Sequence, residues 1–367
     1  MIIHFLRCMY HTEFPLSEDS SYYETVMQDI EYFSLAPQIY YLLKNNRQLE
    51  QVPQFLQKYL KDRSDIALYQ NIFIKNQMNK LFEQFEKASI PVIPLKGVDF
   101  AEQYFGHIGA RYTSDIDLLV KEKQFKQASQ IVKSLGFTFE EEPIPSHFHH
   151  SFSKPLPHSP YPLTVELHWD LLKENTSNLL IEEFWETATP YENLSYVKRL
   201  STYHTFYMIC LHGWKHHLNS LKYFLDIIQI LEAKEHDIDL GLLLSDAKRH
   251  QTSKRIIRTL SIIYHWFPEL EEAKRLPFKK PSSLRWDYAA IRNSNVSTLN
   301  QYRNILQFEL LDFDNYKHTL NALSRWLFPS RTEIGMELGT LSQNNPLFWE
   351  YIRLHFKRCS SLLKLMR

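Results

Sequence analysis

The spacing of apolar residues changes twice along this chain, and these changes constrain its fold more than any other feature. Between residues 20 and 88, apolar side chains recur at the spacing of a helix that is buried on one face. Between residues 91 and 172 the pattern changes to short alternating stretches, which are typical of strands. From about residue 200 the helical spacing returns. This order predicts a small sheet between two helical regions.

The first helical region divides into three predicted helices. Helical spacing is clearest at Tyr23, Val26, Ile30 and Phe33, and again at Ala67, Ile74, Met78, Leu81 and Phe85. The third helix is expected to begin at Ser64, because a serine hydroxyl can accept a hydrogen bond from the free backbone NH groups of a first helical turn. Asp65 would then lie favourably against the positive end of the helix dipole.

The scarcity of glycine supports a mostly helical chain. Only 8 of the 367 residues are glycine, whereas folds with many tight turns between strands usually need more. We therefore predict an α+β, mostly helical fold in which a small mixed sheet is flanked by helical regions at both ends. The expected boundaries are residues 1–88 for the N-terminal helical region, 89–199 for the α/β core and 200–367 for the C-terminal helical domain.

The predicted core alternates short strands with helices. Strands are expected at residues 92–93, 115–120 and 137–139, and helices from Val98 and over residues 122–135. A hairpin would follow, with arms at residues 147–153 and 163–169. The connection between the arms is rich in proline, which cannot join a central strand ladder because it lacks the backbone NH. His147 and His149 share one face of the first arm and are interpreted as hairpin surface.

Three acidic residues of this core are the strongest candidates for chemistry. Residues two apart in a strand point to the same side, so Asp115 and Asp117 present both carboxylates on one face while their apolar neighbours point into the core. Two adjacent acids repel each other unless a cation neutralises them. In the second hairpin arm Glu166 alternates with apolar residues. A neighbouring strand could therefore bring a third carboxylate to the same cation.

The second helical region carries a cluster of basic residues. Residues 202–234 are predicted to form one long helix, on which His212 and His216 lie one turn apart with Lys215 between them. Contact with a substrate and an ordinary helix surface are both open for this cluster. Zinc is not favoured, because further ligands at suitable spacing are not evident. Asp226, three turns beyond Lys215, either contributes to the same cleft or is solvated.

Taken together, these motifs resemble those of a known family. The chain carries Leu95-Lys96-Gly97, then Arg111-x3-Asp115-x-Asp117-Leu118-Leu119-Val120, then Glu166-Leu167-His168-Trp169, and later the spaced set His212, Lys215, His216 and Asp226. They resemble the uncharacterised nucleotidyltransferase family of the polymerase-β-like nucleotidyltransferase superfamily. The resemblance extends over residues 30 to 360 and is strongest between 89 and 235.

The resemblance implies a metal-dependent active site. Asp115 and Asp117 would be the catalytic ligands of Mg²⁺ or Mn²⁺, and Glu166 would be the third catalytic and metal-binding carboxylate. Gly97 would open a helix beneath the nucleotide phosphates, where free backbone NH groups favour anions. The remaining predicted nucleotide-binding residues are Lys96, Arg111, His212, Lys215 and His216. For Lys96 a solvated helix start is the alternative, and for Arg111 an ion pair with the acidic pair, although a planar guanidinium suits phosphate.

The implied reaction transfers a nucleoside monophosphate from an NTP to an acceptor and releases pyrophosphate. The acceptor is unidentified and could be a small molecule, a peptide or a protein. At the phosphate-binding turn the chain reads Lys96-Gly97-Val98, so the serine that the superfamily usually has after the first glycine is missing. The alternative function is therefore that of a degenerate member, which binds a nucleotide or a protein partner without turnover.

Composition narrows the cellular setting. The 42 basic and 42 acidic side chains cancel, which argues against a surface built to coat long nucleic acid. Cys8, Cys210 and Cys359 are odd in number and far apart in sequence, so neither a disulfide framework nor a zinc site is indicated, and a cytoplasmic location is expected. No apolar run approaches the roughly 20 residues that span a bilayer, so no transmembrane segment is predicted.

Overall fold

The computed structural model describes most of the chain. The described residues are 1–11, 13–140, 147–157, 159–234, 237–281, 284, 286–292, 306–339 and 346–365. Within them the chain is mostly helical and contains a five-stranded and a two-stranded sheet. The predicted α+β fold is therefore confirmed. In this described part, no helix combines the length and the apolar character that crossing a bilayer would require.

The helices fall into three groups along the chain. Four precede the sheet: α1 (Ile2–Tyr10), α2 (Ser20–Tyr32), α3 (Ala36–Asn45) and α4 (Gln54–Lys87). Three lie among the strands: α5 (Val98–Phe105), α6 (Phe125–Ser134) and α7 (Ile181–Glu186). The later helices are α8 (Thr202–Lys215), α9 (Leu221–Ala233), α10 (Leu240–Arg249), α11 (Ser253–Trp266), α12 (Leu270–Ala273), α13 (Tyr288–Arg292), α14 (Tyr316–Leu327), α15 (Arg331–Leu338) and α16 (Leu347–Leu365).

The larger sheet is mixed, as predicted. Its strands are β1 (Val92–Pro94), β2 (Asp115–Val120), β3 (Thr138–Phe139), β4 (His149–Lys154) and β5 (Leu163–His168), in the order β1-β2-β5-β4-β3. Strands β2 and β5 pair in parallel, and the other neighbours are antiparallel. The smaller sheet pairs β6 (Thr189–Pro190) with β7 (Lys198–Arg199). The predicted hairpin corresponds to β4 and β5.

Two hydrophobic clusters hold the sheet in place. On one face Ile116 and Val165 pack with Met78 of α4 and Val132 of α6. A larger cluster contains Leu119, which shares the opposite face with the strand acids, and joins helices from both ends of the chain. Its members include Ile30 of α2, Phe100 of α5 and Ile228 of α9. The division into regions 1–88, 89–199 and 200–367 stays a prediction.

The predicted start of the third helix is wrong. Helix α4 begins at Gln54, after Pro53, and Ser64 lies buried in its interior. Leu56 and Leu60 are fully buried and continue the apolar stripe toward the N-terminus. Burial of this stripe stabilises the helix well beyond the local capping signal, because tertiary packing contributes more to helix stability than one cap does.

The predicted long helix over residues 202–234 is also wrong. Helix α8 ends at Lys215 and α9 begins at Leu221. Between them His217 and Leu218 adopt left-handed backbone angles, with φ of 55° and 50°, and Leu218 is buried. The Ser220 side chain then accepts a hydrogen bond from the backbone NH of Lys222 and caps α9. The break therefore divides the predicted helix into two.

Candidate active site

The sheet brings the three predicted carboxylates together. In the parallel pair of β2 and β5, Asp117 lies opposite Glu166 and Asp115 lies opposite Thr164. One oxygen from each of the three acids lies within 4.8 Å of the other two. The Asp117 side chain is only 2% exposed, whereas those of Asp115 and Glu166 are 27% and 25% exposed. The cluster therefore has one buried member and two that face open space.

Two basic side chains contact these acids. The Nζ of Lys96 lies 3.0 Å from Oδ2 of Asp115 and also contacts Oδ2 of Asp117. The Nε2 of His168 donates to Oδ1 of Asp117 at 3.1 Å and lies 3.2 Å from Oε2 of Glu166. The repulsion between the aspartates that the sequence predicts is therefore partly relieved by the protein itself. Three carboxylates nevertheless face one lysine and one histidine.

These contacts favour the charged forms of the groups. Burial opposes ionisation of Asp117, but Lys96 and His168 outweigh it and hold the pKa of Asp117 well below its usual value. Burial would lower the pKa of Lys96 and of His168. The neighbouring carboxylates outweigh that effect, so both pKa values are raised.

A cavity of about 290 Å³ opens onto the acids. The end of helix α8 and the residue that follows it contribute His212, Lys215 and His216 to its lining, together with Lys96 and the strand acids. The structure therefore brings together seven of the nine predicted site residues, namely Lys96, Asp115, Asp117, Glu166, His212, Lys215 and His216. Gly97 and Arg111 do not line this cavity.

The helical part of the lining carries little positive charge besides Lys215. Burial lowers the pKa of His212 well below its usual value, and Lys96 acts in the same direction. Burial, with Lys215, lowers the pKa of His216 to about 4. Both histidines are therefore neutral at pH 7 and act as hydrogen-bonding groups. The Nζ of Lys215 lies 4.6 Å from the centre of the Phe148 ring.

Gly97 shapes the turn between β1 and α5. Its φ is +87°, a backbone conformation that side chains other than glycine rarely adopt. A Cβ at this position would lie 3.1 Å from Cγ2 of Thr113 and 3.7 Å from the carbonyl oxygen of Asp115. Glycine therefore allows the start of α5 to lie directly against β2. No side chain caps this helix, so the NH groups of its first turn lack a capping partner.

Arg111 forms its ion pair with a residue outside the acidic cluster. Its Nε and Nη2 each donate to a carboxylate oxygen of Asp226 at 2.8 Å. The two side chains are 4% and 0% exposed. The structure pairs Arg111 with Asp226 and not with the acidic pair, and Asp226 is neither in the cavity nor solvated. Because Asp226 already occupies the guanidinium fork, the nucleotide-clamp role of Arg111 stays a prediction that this geometry does not support.

Comparison with known families agrees with this geometry. A family model described as an uncharacterised nucleotidyltransferase matches residues 24–268. The chain belongs to this family. The matched segment covers more than half of the chain and contains every residue that lines the acidic cavity. No curated protein and no solved structure matches the chain.

Two histidines of the candidate site are missed by sequence reasoning. His149, interpreted above as hairpin surface, lines the cavity with its Nε2 3.9 Å from Oε2 of Glu166. Its ring stacks on that of His168 at 4.8 Å. His168 could have been assigned, because it lies two residues from Glu166 on the same strand face. His149 depends on the hairpin register, which pairs it with His168 and which the proline-rich connection does not reveal.

Proposed function

We propose that this protein transfers a nucleoside monophosphate from an NTP to an acceptor and releases pyrophosphate. The observation that carries the proposal is the carboxylate trio on β2 and β5, which faces a cavity that Lys215 lines from α8. Membership of a nucleotidyltransferase family supports it. A carboxylate trio and a triphosphate repel each other, so a cation must lie between them for both to occupy one site.

The donor set suits a hard divalent cation. Asp115, Asp117 and Glu166 offer three carboxylate oxygens within 4.8 Å of one another, and Mg²⁺ prefers oxygen ligands that it shares with substrate phosphates. We assign the two aspartates to both cations of a two-metal site, and Glu166 to the second cation. Mg²⁺ or Mn²⁺ held there would neutralise phosphate charge and lower the pKa of the acceptor's nucleophile. The contact of Lys96 with both aspartates supports this assignment, because positive charge is already stabilised at that position.

The phosphates are assigned to the edge of the cavity where α5 begins. Gly97 places the uncapped first turn of α5 beside β2, and its NH groups can donate to phosphate oxygens. Lys96 would exchange one aspartate contact for a phosphate oxygen. Lys215 would contact the nucleotide from α8, with the neutral rings of His212 and His216 supplying hydrogen bonds.

The chemistry requires one substitution at phosphorus. The acceptor oxygen or nitrogen forms a bond to the α-phosphorus, the bond from that phosphorus to the bridging oxygen breaks, and pyrophosphate leaves with the bond electrons. We assign the acceptor's proton to the Glu166 carboxylate, which is more exposed than Asp117. Catalysis then depends on positioning and charge neutralisation, without a covalent enzyme intermediate.

A second candidate is binding without turnover. It is favoured by the Lys96-Gly97-Val98 turn, where the superfamily's serine hydroxyl is missing. The complete carboxylate trio favours turnover instead, because a site that only holds a nucleotide does not need a third acid for the acceptor.

The decisive experiment uses NTPs labelled at either the α- or the γ-phosphate. The protein is incubated with Mn²⁺ and a lysate separated into small molecules, proteins and RNA. We expect label from the α-phosphate in one fraction, with release of pyrophosphate. Glu166→Gln should reduce labelling by at least about a hundredfold while nucleotide binding persists. Glu174→Gln, at an exposed acid outside the cavity, is the matched control and should label normally.

Other outcomes separate the candidates. Transfer only from the γ-position would indicate a kinase and overturn the proposal. Nucleotide binding that depends on Asp117, without transfer to any fraction, would support the binding-only candidate.

A further inference from the structure

A second cavity adjoins the carboxylate site. It has a volume of about 350 Å³ and shares Phe148, Leu171 and Lys215 with the cavity over the acids. Leu171 and Lys173 of its lining follow β5 in the chain. A molecule in this cavity therefore approaches the reacting centre from the side of the strand that carries Glu166.

A third cavity shares no lining residue with the cavity over the acids. Its volume is about 470 Å³, and Thr113 and Ser114 of its lining directly precede Asp115. The phosphates are assigned above to the neighbouring turn at Gly97. Of these two cavities it is the one on the β5 side that shares lining residues with the cavity over the acids, so we assign the acceptor to it, beside the Glu166 carboxylate that receives the acceptor's proton.

The lining of the β5-side cavity is rich in aromatic rings. Its aromatic members are Phe148, Trp214, Phe313 and Trp326. Aromatic walls favour flat apolar groups, because ring faces and edges pack against each other at close distance. The shape and chemistry of this lining suit a ligand with a planar body.

The charged lining of this cavity has an excess of one positive charge, because it holds four basic side chains and three glutamates. Within the described residues, Lys173, Lys215 and Arg325 line it without forming an ion pair, and Nη1 of Arg325 is buried without a hydrogen-bond partner. Each acid of the lining accepts hydrogen bonds from a neighbouring side chain: Glu309 from His217 at 3.0 Å, Glu333 from Ser330 Oγ at 2.7 Å, and Glu337 from Arg358 at 2.6 and 2.8 Å. A buried N–H group without a hydrogen-bond partner is costly, so an anion that accepts from Nη1 of Arg325 would be stabilised.

We propose that this cavity binds the acceptor, and that the acceptor is an anion, a carboxylate or a phosphate, on an aromatic or similarly planar body. The inference rests on the proposed function, since an acceptor is needed only if the nucleotide is transferred. The anionic group is assigned to Lys173 and Arg325, and the planar body to the aromatic walls. A hydroxyl or amine at the other end would reach the wall shared with the acidic cavity, beside Glu166.

Part of this lining comes from the C-terminal segment, so acceptor choice would depend in part on that segment. The family match ends at residue 268, and Phe313, Arg325 and Trp326 lie beyond it. The nucleotide side of the site, by contrast, lies entirely within the match. Residues beyond the match therefore add charge and ring contacts to those that Phe148, Lys173 and Trp214 supply from within it.

The test measures binding of small probes by calorimetry, with neither nucleotide nor metal present. Three probes share a phenol ring: 4-hydroxyphenylacetate is an anion, its methyl ester is neutral and tyramine is a cation. Phenyl phosphate replaces the carboxylate by a phosphate. We expect one or both anions to bind at least about tenfold more tightly than the ester and tyramine, as a charge-assisted hydrogen bond provides. The tighter anion distinguishes the carboxylate source from the phosphate source.

Variants separate charge from ring contacts. Lys173→Gln and Arg325→Gln should each reduce the preference for the anion, whereas Lys317→Gln, exposed on the same helix α14 and outside the cavity, should not. Trp326→Ala should weaken all ring probes and leave the preference intact. Lys173 is exposed, so its variant carries the test even where Arg325→Gln does not fold.

The proposal is overturned if the ester or tyramine binds as tightly as the anions, if neither anion binds, or if both charge variants keep the full preference. These outcomes are independent of nucleotide transfer. Failure of the wild type to bind or transfer nucleotide would contradict the proposed function while anion binding in this cavity still stood.

Discussion

Two groups of buried charges behave differently in this protein. The Arg111 guanidinium donates two hydrogen bonds of 2.8 Å to one carboxylate, that of Asp226. Neither of these two side chains lines the acidic cavity. Around Asp117, three carboxylates share one lysine and one histidine and face a cavity. The first group is balanced and closed, and the second has excess negative charge and is open. The difference teaches that buried charge identifies a functional site only where it is unbalanced and accessible to a ligand.

Breaking the closed pair of Arg111 and Asp226 should have the largest effect on stability. Asp226→Asn leaves the Arg111 guanidinium buried without its counter-charge, and breaking such a pair costs about 3–5 kcal/mol of unfolding free energy. Urea unfolding of the variant and the wild type measures this difference. The double variant Arg111→Met with Asp226→Leu should recover most of the loss, because an apolar pair of similar size needs no counter-charge. A loss below about 1 kcal/mol in Asp226→Asn would mean that the pair is not a structural link.

Sequence reasoning separates these two groups only in part. The alternation around Asp115 and Asp117, and around Glu166, predicts the carboxylate face, because strand geometry fixes which side chains share a side. The partner of Arg111 could not be predicted, because it depends on where α9 packs. That in turn depends on the break between α8 and α9, which left-handed residues such as Leu218 produce without a glycine or proline signal.

Substitution of Gly97 should have the next largest effect on stability. It also tests whether nucleotide binding at the acidic cluster depends on the backbone turn at this residue. Gly97→Ala places a Cβ 3.1 Å from Thr113 at a φ of +87° and should cost about 1–3 kcal/mol of unfolding free energy. It should also weaken nucleotide binding, because α5 must shift away from β2. Gly106→Ala is the matched control, since Gly106 also has a positive φ but no atom lies within 4 Å of its added Cβ. Equal nucleotide affinity in both variants would show that nucleotide binding does not depend on the turn at Gly97.

The amino group of Lys222 interacts with charges of both groups. Its substitution should have a smaller effect on stability, and that effect should depend on pH. Its Nζ donates to the carbonyl oxygen of Tyr112 at 2.9 Å, and burial, with Arg111, lowers its pKa from 10.5 to about 7. Between those pH values the unfolded chain binds more protons at this lysine than the folded chain, so its contribution to stability rises with pH. Lys222→Met should remove a rise of about 1 kcal/mol between pH 7 and 8.

Urea unfolding at the two pH values measures this rise, and comparison with the wild type isolates it from other titrating groups. Lys248→Met, at an exposed lysine of α10, should keep the wild-type rise. A Lys222→Met variant with that same rise would show that the buried amino group keeps its ordinary pKa.

The parts of the site that sequence reasoning did not reach share one physical cause. His149 and residues of the β5-side cavity such as Arg325 are brought in by packing between segments far apart in the chain, and no local period or spacing encodes that packing. Residues within one strand or one helical turn, such as Asp115 with Asp117 or His212 with Lys215, could be predicted because local geometry alone places them together.

The central claim, that the open acidic group binds a metal and a nucleotide, is tested most directly by the melting temperature with and without Mn²⁺ and a nonhydrolysable NTP. A ligand that binds only the folded protein stabilises it by mass action, so the wild type should melt several degrees higher with both present. Asp117→Asn should lose this ligand-dependent rise, and so should Asp115→Asn, whose side chain is more exposed. Asp226→Asn should melt at a lower temperature without ligands but should keep the rise. The same rise in both cluster variants as in the wild type would contradict the account.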